Sequence, residues 1–257
     1  MASSTSHGAL ASIELSARSL RLPTVRAVAS SLASDAERNH SSHLDYLSHV
    51  LAAELDDREE RRRHRRVKSA NFPRMKLLGE FDLTAAALVT PAQVAMLSAG
   101  TFLERGDPVV LLGDSGTGKS HLLIGLGVRA CELGHHVRYV TCAQLVNELA
   151  EAADEKRLSK LVARYGRVDL LLLDELGYVA LDARGAELLF QILTEREERS
   201  SVATASNLPF SEWGKVITDA RLVAAIIDRL TFNAHIIETG SDSYRLRSTK
   251  AKRAAKS

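Results

Sequence analysis

PVVLLGDSGTGKSHLL, residues 108–123, carries three local signals in succession. PVVLLG, residues 108–113, reads as a short buried strand. Gly113–Ser120 then satisfies G-x-x-x-x-G-K-[ST], with Asp114, Ser115 and Thr117 at variable positions. Lys119 opens a stretch with helical spacing. Gly116 and Gly118 let the backbone turn tightly enough to aim amide N–H groups at phosphate oxygens. Lys119 supplies a point charge for β- and γ-phosphates, the Ser120 hydroxyl is a Mg²⁺ ligand, and the helix N-terminus faces the anion. A strand, this loop and a helix in that order predict a nucleotide site.

Downstream the pattern alternates. KSHLLIGLGVRACELG predicts a helix closed by Gly134, HVRYVT a strand, and Thr141 with Gln144 a capping box opening the next helix. VDLLLLDE carries a continuous run of four leucines, as in a strand covered on both faces. A helix over 183–198 and the strand SVATAS follow. This is an α/β chain with a parallel sheet flanked by helices. Asp174 and Glu175 end the apolar strand. Beside a phosphate loop, Asp174 can hold Mg²⁺ through water and Glu175 can deprotonate a water nucleophile. Asn207, just past SVATAS, is placed to contact a terminal phosphate or that water. EREER, residues 195–199, reads as surface ion pairs, and Trp213 as a packing anchor.

Upstream, residues 13–80 read as helical, split by Pro23. SSHLDYLSHVLAAELDDREERRRHRRVK predicts one long helix, with Ser41 or Ser42 as N-cap and an end at Asn71-Phe72-Pro73. Net charge is only +2, yet residues 61–76 hold eight Lys or Arg and no acid. On a helical projection Leu44, Leu47, Leu51 and Leu55 form one stripe, which Arg58, Arg62, Arg65 and Arg66 continue. The leucines are expected to pack and the arginines to face an enclosed partner. Arg58, Arg61, Arg62, Arg65, Arg66 and Lys68 are the candidate contacts to duplex DNA phosphates. The expected organisation is a variable extension (1–16), a small all-helical N-terminal domain (17–80), the nucleotide-binding domain (81–247) and a basic tail (248–257). Cys131 and Cys142 lack ligand spacing and suit a reducing, cytoplasmic setting, and no apolar run is long enough to span a membrane.

GTGKSH, LDELGY, SNLPFSEW and IIDRL…DSYR, in that order, resemble the IstB-type AAA+ ATPases of insertion sequences, relatives of DnaC and DnaA. The resemblance runs from Leu20 to Arg247, with Ala205 standing where a hydroxyl residue is common. It implies a P-loop AAA+ core that binds ATP and Mg²⁺ and hydrolyses ATP. It implies further an ATP-dependent oligomer that binds double-stranded DNA with little sequence preference and serves a cognate transposase. It makes Asn207 a sensor, Arg229 an arginine finger acting on a neighbouring subunit, and Arg245 a cis sensor. The alternatives are a DnaC-like replicative helicase loader and a nucleotide-gated DNA-binding adaptor with negligible hydrolysis.

Overall fold

The computed structural model describes residues 2–86, 88–241 and 243–244. The chain divides into two compact units, Met1–Arg65 and Arg66–Ser257.

The first unit contains α1 (Ala2–Ser19), α2 (Pro23–Arg38) and most of α3 (His43–Ser69). Pro23 starts α2 where a missing N–H costs nothing. Ser42 caps α3: its hydroxyl accepts from the Asp45 amide and its own amide donates to the Asp45 carboxylate, both at 3.2 Å. α1 runs through the residues expected to be a variable extension. The inward side of α3 carries Tyr46, Val50 and Glu54 rather than leucines. Leu44, Leu47, Leu51 and Leu55 are 78, 50, 47 and 65% exposed, so the predicted packing stripe is an outer surface. α3 is turned by roughly 100° from the leucine-in orientation. The residue that holds it there is Glu54, 3% exposed, whose Oε2 accepts the Thr24 and Val25 amides at the start of α2.

Burial alone would raise the Glu54 carboxyl. The Val25 and Thr24 amides, with Arg58 and Arg61, nevertheless hold it below the ordinary carboxylate range. A depressed pKa contributes stability that is complete above the ordinary value, about 4.3, and is lost as pH falls through the folded value. Acid titration followed by amide exchange at Thr24 and Val25 is therefore expected to show this contact opening below about pH 4. Glu54→Gln should remove that pH dependence; an unchanged profile would assign it to other carboxylates.

The second unit is a five-stranded sheet in the order β2-β3-β4-β1-β5, with every pairing parallel. Its strands are β1 (Val109–Leu112), β2 (Val137–Thr141), β3 (Leu170–Leu176), β4 (Ser201–Ser206) and β5 (His235–Glu238). The helices are α4 (Pro91–Ala99), α5 (Thr101–Arg105), α6 (Lys119–Glu132), α7 (Cys142–Asp154), α8 (Leu158–Gly166), α9 (Ala183–Arg196) and α10 (Ala220–Thr231). Strand alternation divides the core. Leu170 and Leu172 pack with Leu123 and Leu126 of α6, while Leu171 and Leu173 pack with Leu149 of α7 and Leu189 and Ile192 of α9. Each such buried leucine contributes on the order of 2 kcal/mol. Both cysteines are free within these layers, and burial pushes their thiols up to about 11 and 12.

The unit boundary falls inside α3 rather than after Glu80. Val67, Ala70, Phe72 and Leu78 join the core beneath α6, and the Tyr139 amide donates to Ala70 O at 2.8 Å. Arg196 also departs from expectation. It is 1% exposed, not a surface ion pair, and its guanidinium donates to the carbonyls of Tyr165, Asp169 and Ser201. It thereby ties the end of α9 to the starts of β3 and β4. Trp213 is buried as predicted, its Nε1 donating to Leu208 O at 3.1 Å.

Candidate functional site

Strand order assembles the site. β4 lies between β1 and β3, so the loop after β1 and the ends of β3 and β4 meet at one edge of the sheet. That edge is the usual ligand crevice of an open parallel sheet.

The loop is built to surround an anion. Gly116 and Gly118 have φ of 87° and 100°. At Gly118 a Cβ would also lie 2.7 Å from the Phe81 ring, so glycine is needed for both conformation and space. Lys119 Nζ donates to the carbonyls of Gly113 and Asp114, each at 2.7 Å, which brings its charge inside the loop. Thr117 Oγ1 lies 2.6 Å from Thr239 Oγ1, and the Asp114 amide donates to Gly240 O, so the segment after β5 braces the loop.

Asp174 is 4% exposed, and its Oδ1 accepts the Ser120 hydroxyl at 3.2 Å and the Glu175 amide at 2.9 Å. Its Oδ2 accepts the Tyr139 hydroxyl at 2.9 Å, across from β2. Burial first, then the Asp174 charge, push the Tyr139 hydroxyl well above its ordinary value and keep it a donor. Glu175 follows in a register break between Leu173 and Leu176, with φ of +60° and an exposed side chain. A non-glycine residue in the left-handed region at a bulge is costly backbone, of order 1–3 kcal/mol, and such outliers cluster at functional sites. The bulge aims Glu175 off the sheet while Asp174 stays inside. Asn207 leaves the end of β4 with a buried Oδ1 that has no hydrogen-bond partner among the described residues. Ala205 pairs with Leu111 within the core, so a hydroxyl is absent from the sheet interior there rather than from the site.

Two cavities flank the loop. One of about 250 Å³ is lined by Arg74, Lys76, Lys119 and Ser120. The other, about 170 Å³, is lined by Lys76, Glu80, Phe81, Ala85, Thr117 and His121. His121 is fixed by Leu77 O at 2.9 Å and by an edge contact to Phe81. No sequence motif marks Phe81, Tyr139 or Thr239 as site residues, and Arg74 and Lys76 read only as members of the basic run 61–76. Tyr139 alone had a signal, since strand alternation puts it on the Asp174 face once β2 and β3 are known to pair.

Arg229 is elsewhere. It belongs to a cavity of about 240 Å³ with Arg105, Pro108, Ser200 and Val202, at the starts of the strands. It therefore lies one strand length, roughly 13 Å or more, from its own phosphate loop. Its Nε is 2.8 Å from Glu197 Oε2 without an aligned N–H, and the guanidinium sits 5.6 Å from the Phe190 ring centre. Arg245 lies outside the described residues. The basic candidates separate by environment. Arg58 and Arg61 pair with Glu54. Arg66 Nε donates to Cys131 O at 2.8 Å, at the end of α6. Arg62, Arg65 and Lys68 are exposed.

A parallel sheet in this order, a phosphate loop after β1 and an Asp-Glu pair two strands away define an AAA+ class, P-loop nucleotide-binding core of ATPase type. The signature of the IstB-like ATP binding protein family matches residues 15–252, and the chain belongs to that family. A relative named an insertion sequence ATP-binding protein, from Sinorhizobium fredii, is 36% identical over 91% of this chain and 79% of its own length. The insertion sequence IS21 ATP-binding protein of Pseudomonas aeruginosa is 34% identical over 84% of this chain and 82% of its own. Among solved structures, AMPPCP-bound DnaA from Aquifex aeolicus shares the fold at a TM-score of 0.56 and 22% identity, over 70% of this chain and 55% of that one. DnaI matches at 0.52 and 20% identity, over 70% of this chain and 98% of its own. The chain spans about half the length of the AMPPCP-bound DnaA structures it matches. No helix among the described residues is long and apolar enough to cross a membrane.

Proposed function

We propose that the chain is an ATP-hydrolysing helper of transposition, which assembles on duplex DNA with ATP and engages the transposase of its own insertion sequence. The supporting observation is the convergence of Lys119, Ser120, Asp174, Glu175 and Asn207 at one sheet edge in a chain of this family. The residues fit a Mg²⁺–nucleotide: a hydroxyl beside a buried carboxylate, a cationic loop and a buried amide oxygen with no partner. Ser120 and Asp174 would hold Mg²⁺, which would supply positive charge to the phosphate oxygens. Lys119 binds the β- and γ-phosphates, Asn207 orients the attacking water, and Glu175 takes its proton. Arg229, remote from its own loop, supplies its charge to the neighbouring subunit. The site is then complete only in an assembly. The helicase-loader reading has the shared fold in its favour and no further observation.

Arg62, Arg65 and Lys68 are proposed to contact DNA phosphates. Their triple alanine variant is expected to weaken binding to all duplex sequences alike. It should also reduce the slope of log K against log salt by about 2–3, since each phosphate contact contributes about 0.9. Sedimentation of wild type with duplex DNA, with and without ATP, tests the whole reading. Faster sedimentation only with ATP supports it; DNA binding indifferent to nucleotide, with an unchanged salt slope in the variant, would sink it.

A further inference from the structure

A second cation reaches the phosphate site from outside the loop motif. Residues 71–77 form an irregular strap between α3 and the short 3-10 turn Leu78–Glu80. The strap is pinned at both ends. Ala70 O accepts the Tyr139 amide, Phe72 packs against Gly127 of α6, and Leu77 O is 2.9 Å from His121 Nε2. Arg74 and Lys76 alternate along it, and both line the cavity that holds Lys119 and Ser120. Arg74 is exposed, and no hydrogen bond or ion pair engages its guanidinium among the described residues. A cation left unpaired beside a phosphate loop is what an anion would recruit.

The two cavities differ in a way that assigns its target. Arg74 shares its cavity with Ser120 and Lys119, the residues at the β/γ end of the site. It is absent from the cavity built on Phe81, Glu80 and Ala85. Its charge also acts on the Tyr139 hydroxyl, which donates to Asp174. We propose that Arg74 is a cis nucleotide-binding residue that contacts the terminal phosphate and so separates ATP from ADP. It supplies, from the N-terminal side of the core, a charge that the phosphate-loop motif does not encode. The guanidinium presents planar paired donors to phosphate oxygens, which an ammonium does not.

This inference rests on the nucleotide-binding reading, and the test keeps the two apart. Dissociation constants for AMP-PNP and ADP, both with Mg²⁺, are measured by calorimetry for wild type, Arg74→Ala, Arg74→Lys and Lys119→Ala. Arg74→Ala is expected to weaken AMP-PNP binding roughly tenfold and ADP less than about twofold, the size of one charge-assisted contact. Arg74→Lys should recover part of the loss. Because Arg74 is exposed and outside the core, its thermal unfolding should match wild type. Equal losses for both nucleotides, or none, would overturn the assignment to the terminal phosphate. Failure of wild type to bind either nucleotide would instead remove the nucleotide reading itself, and this inference with it.

Discussion

Glu175→Gln is expected to lower the ATP hydrolysis rate by roughly 10²–10³, the scale of a positioned general base, while leaving ATP affinity within about twofold. The substitution keeps side-chain length and shape but cannot accept the proton. Binding should survive because the proposed phosphate contacts belong to Lys119 and the loop amides, not to Glu175. Stability should survive too. Glutamine has the same cost as glutamate at φ +60°, and the exposed carboxylate carries none of the hydrogen bonds that fix Asp174. A steady-state assay with saturating Mg²⁺–ATP and duplex DNA, beside equilibrium binding, checks both halves. Equal slow turnover in wild type and variant would favour a nucleotide-gated adaptor over an enzyme.

Lys119→Ala should act one step earlier, with loss of ATP binding by 100-fold or more. Lys119 is 9% exposed, and its ammonium is drawn into the loop by two carbonyls at 2.7 Å. Its removal deletes the buried positive charge about which the anion site is arranged, and charge-assisted contacts to phosphate are among the strongest hydrogen bonds available. The two orphaned carbonyls should lower thermal stability as well, by about 1 kcal/mol each. If self-association on DNA depends on bound ATP, this variant stays small in sedimentation whatever the nucleotide. Assembly identical to wild type would show that nucleotide does not drive it.

Much of this site could be read from one chain because its chemistry is local. Gly113–Ser120, Asp174 and Glu175 each occupy the end of an element whose pattern is unambiguous. What remained hidden depends on neighbours distant in sequence. Arg74 and Phe81 enter the site through the strap and turns that cross α6, and no spacing announces them. β5 is four residues on a sheet edge and offers too little periodicity to stand out. Arg196 looks like any charge in EREER until the starts of β3 and β4 converge on it. The leucines of α3 share one face, as their spacing predicts, but that face is the outer one. Periodicity reports which residues share a face, whereas the partner, here the start of α2 held by Glu54, decides which face turns inward. Arg66 shows the same limit, since a basic run does not reveal which member meets the end of a neighbouring helix.

The placement of Arg229 at the starts of the strands, with the phosphate loop at their ends, fixes the symmetry open to any assembly that uses both. A two-fold dimer joins like surfaces, so it cannot seat each finger in its partner's cradle when the two lie on opposite sides of the core. Subunits must instead stack head to tail, each offering an unlike front and back. Such a stack is a ring if its rotation closes and a helical filament if it does not. In the open case the two ends are inequivalent: one terminal subunit presents a nucleotide with no finger, the other a finger with no nucleotide. Hydrolysis would then be slowest at a single, identifiable end, which gives the assembly a direction along whatever it is built on.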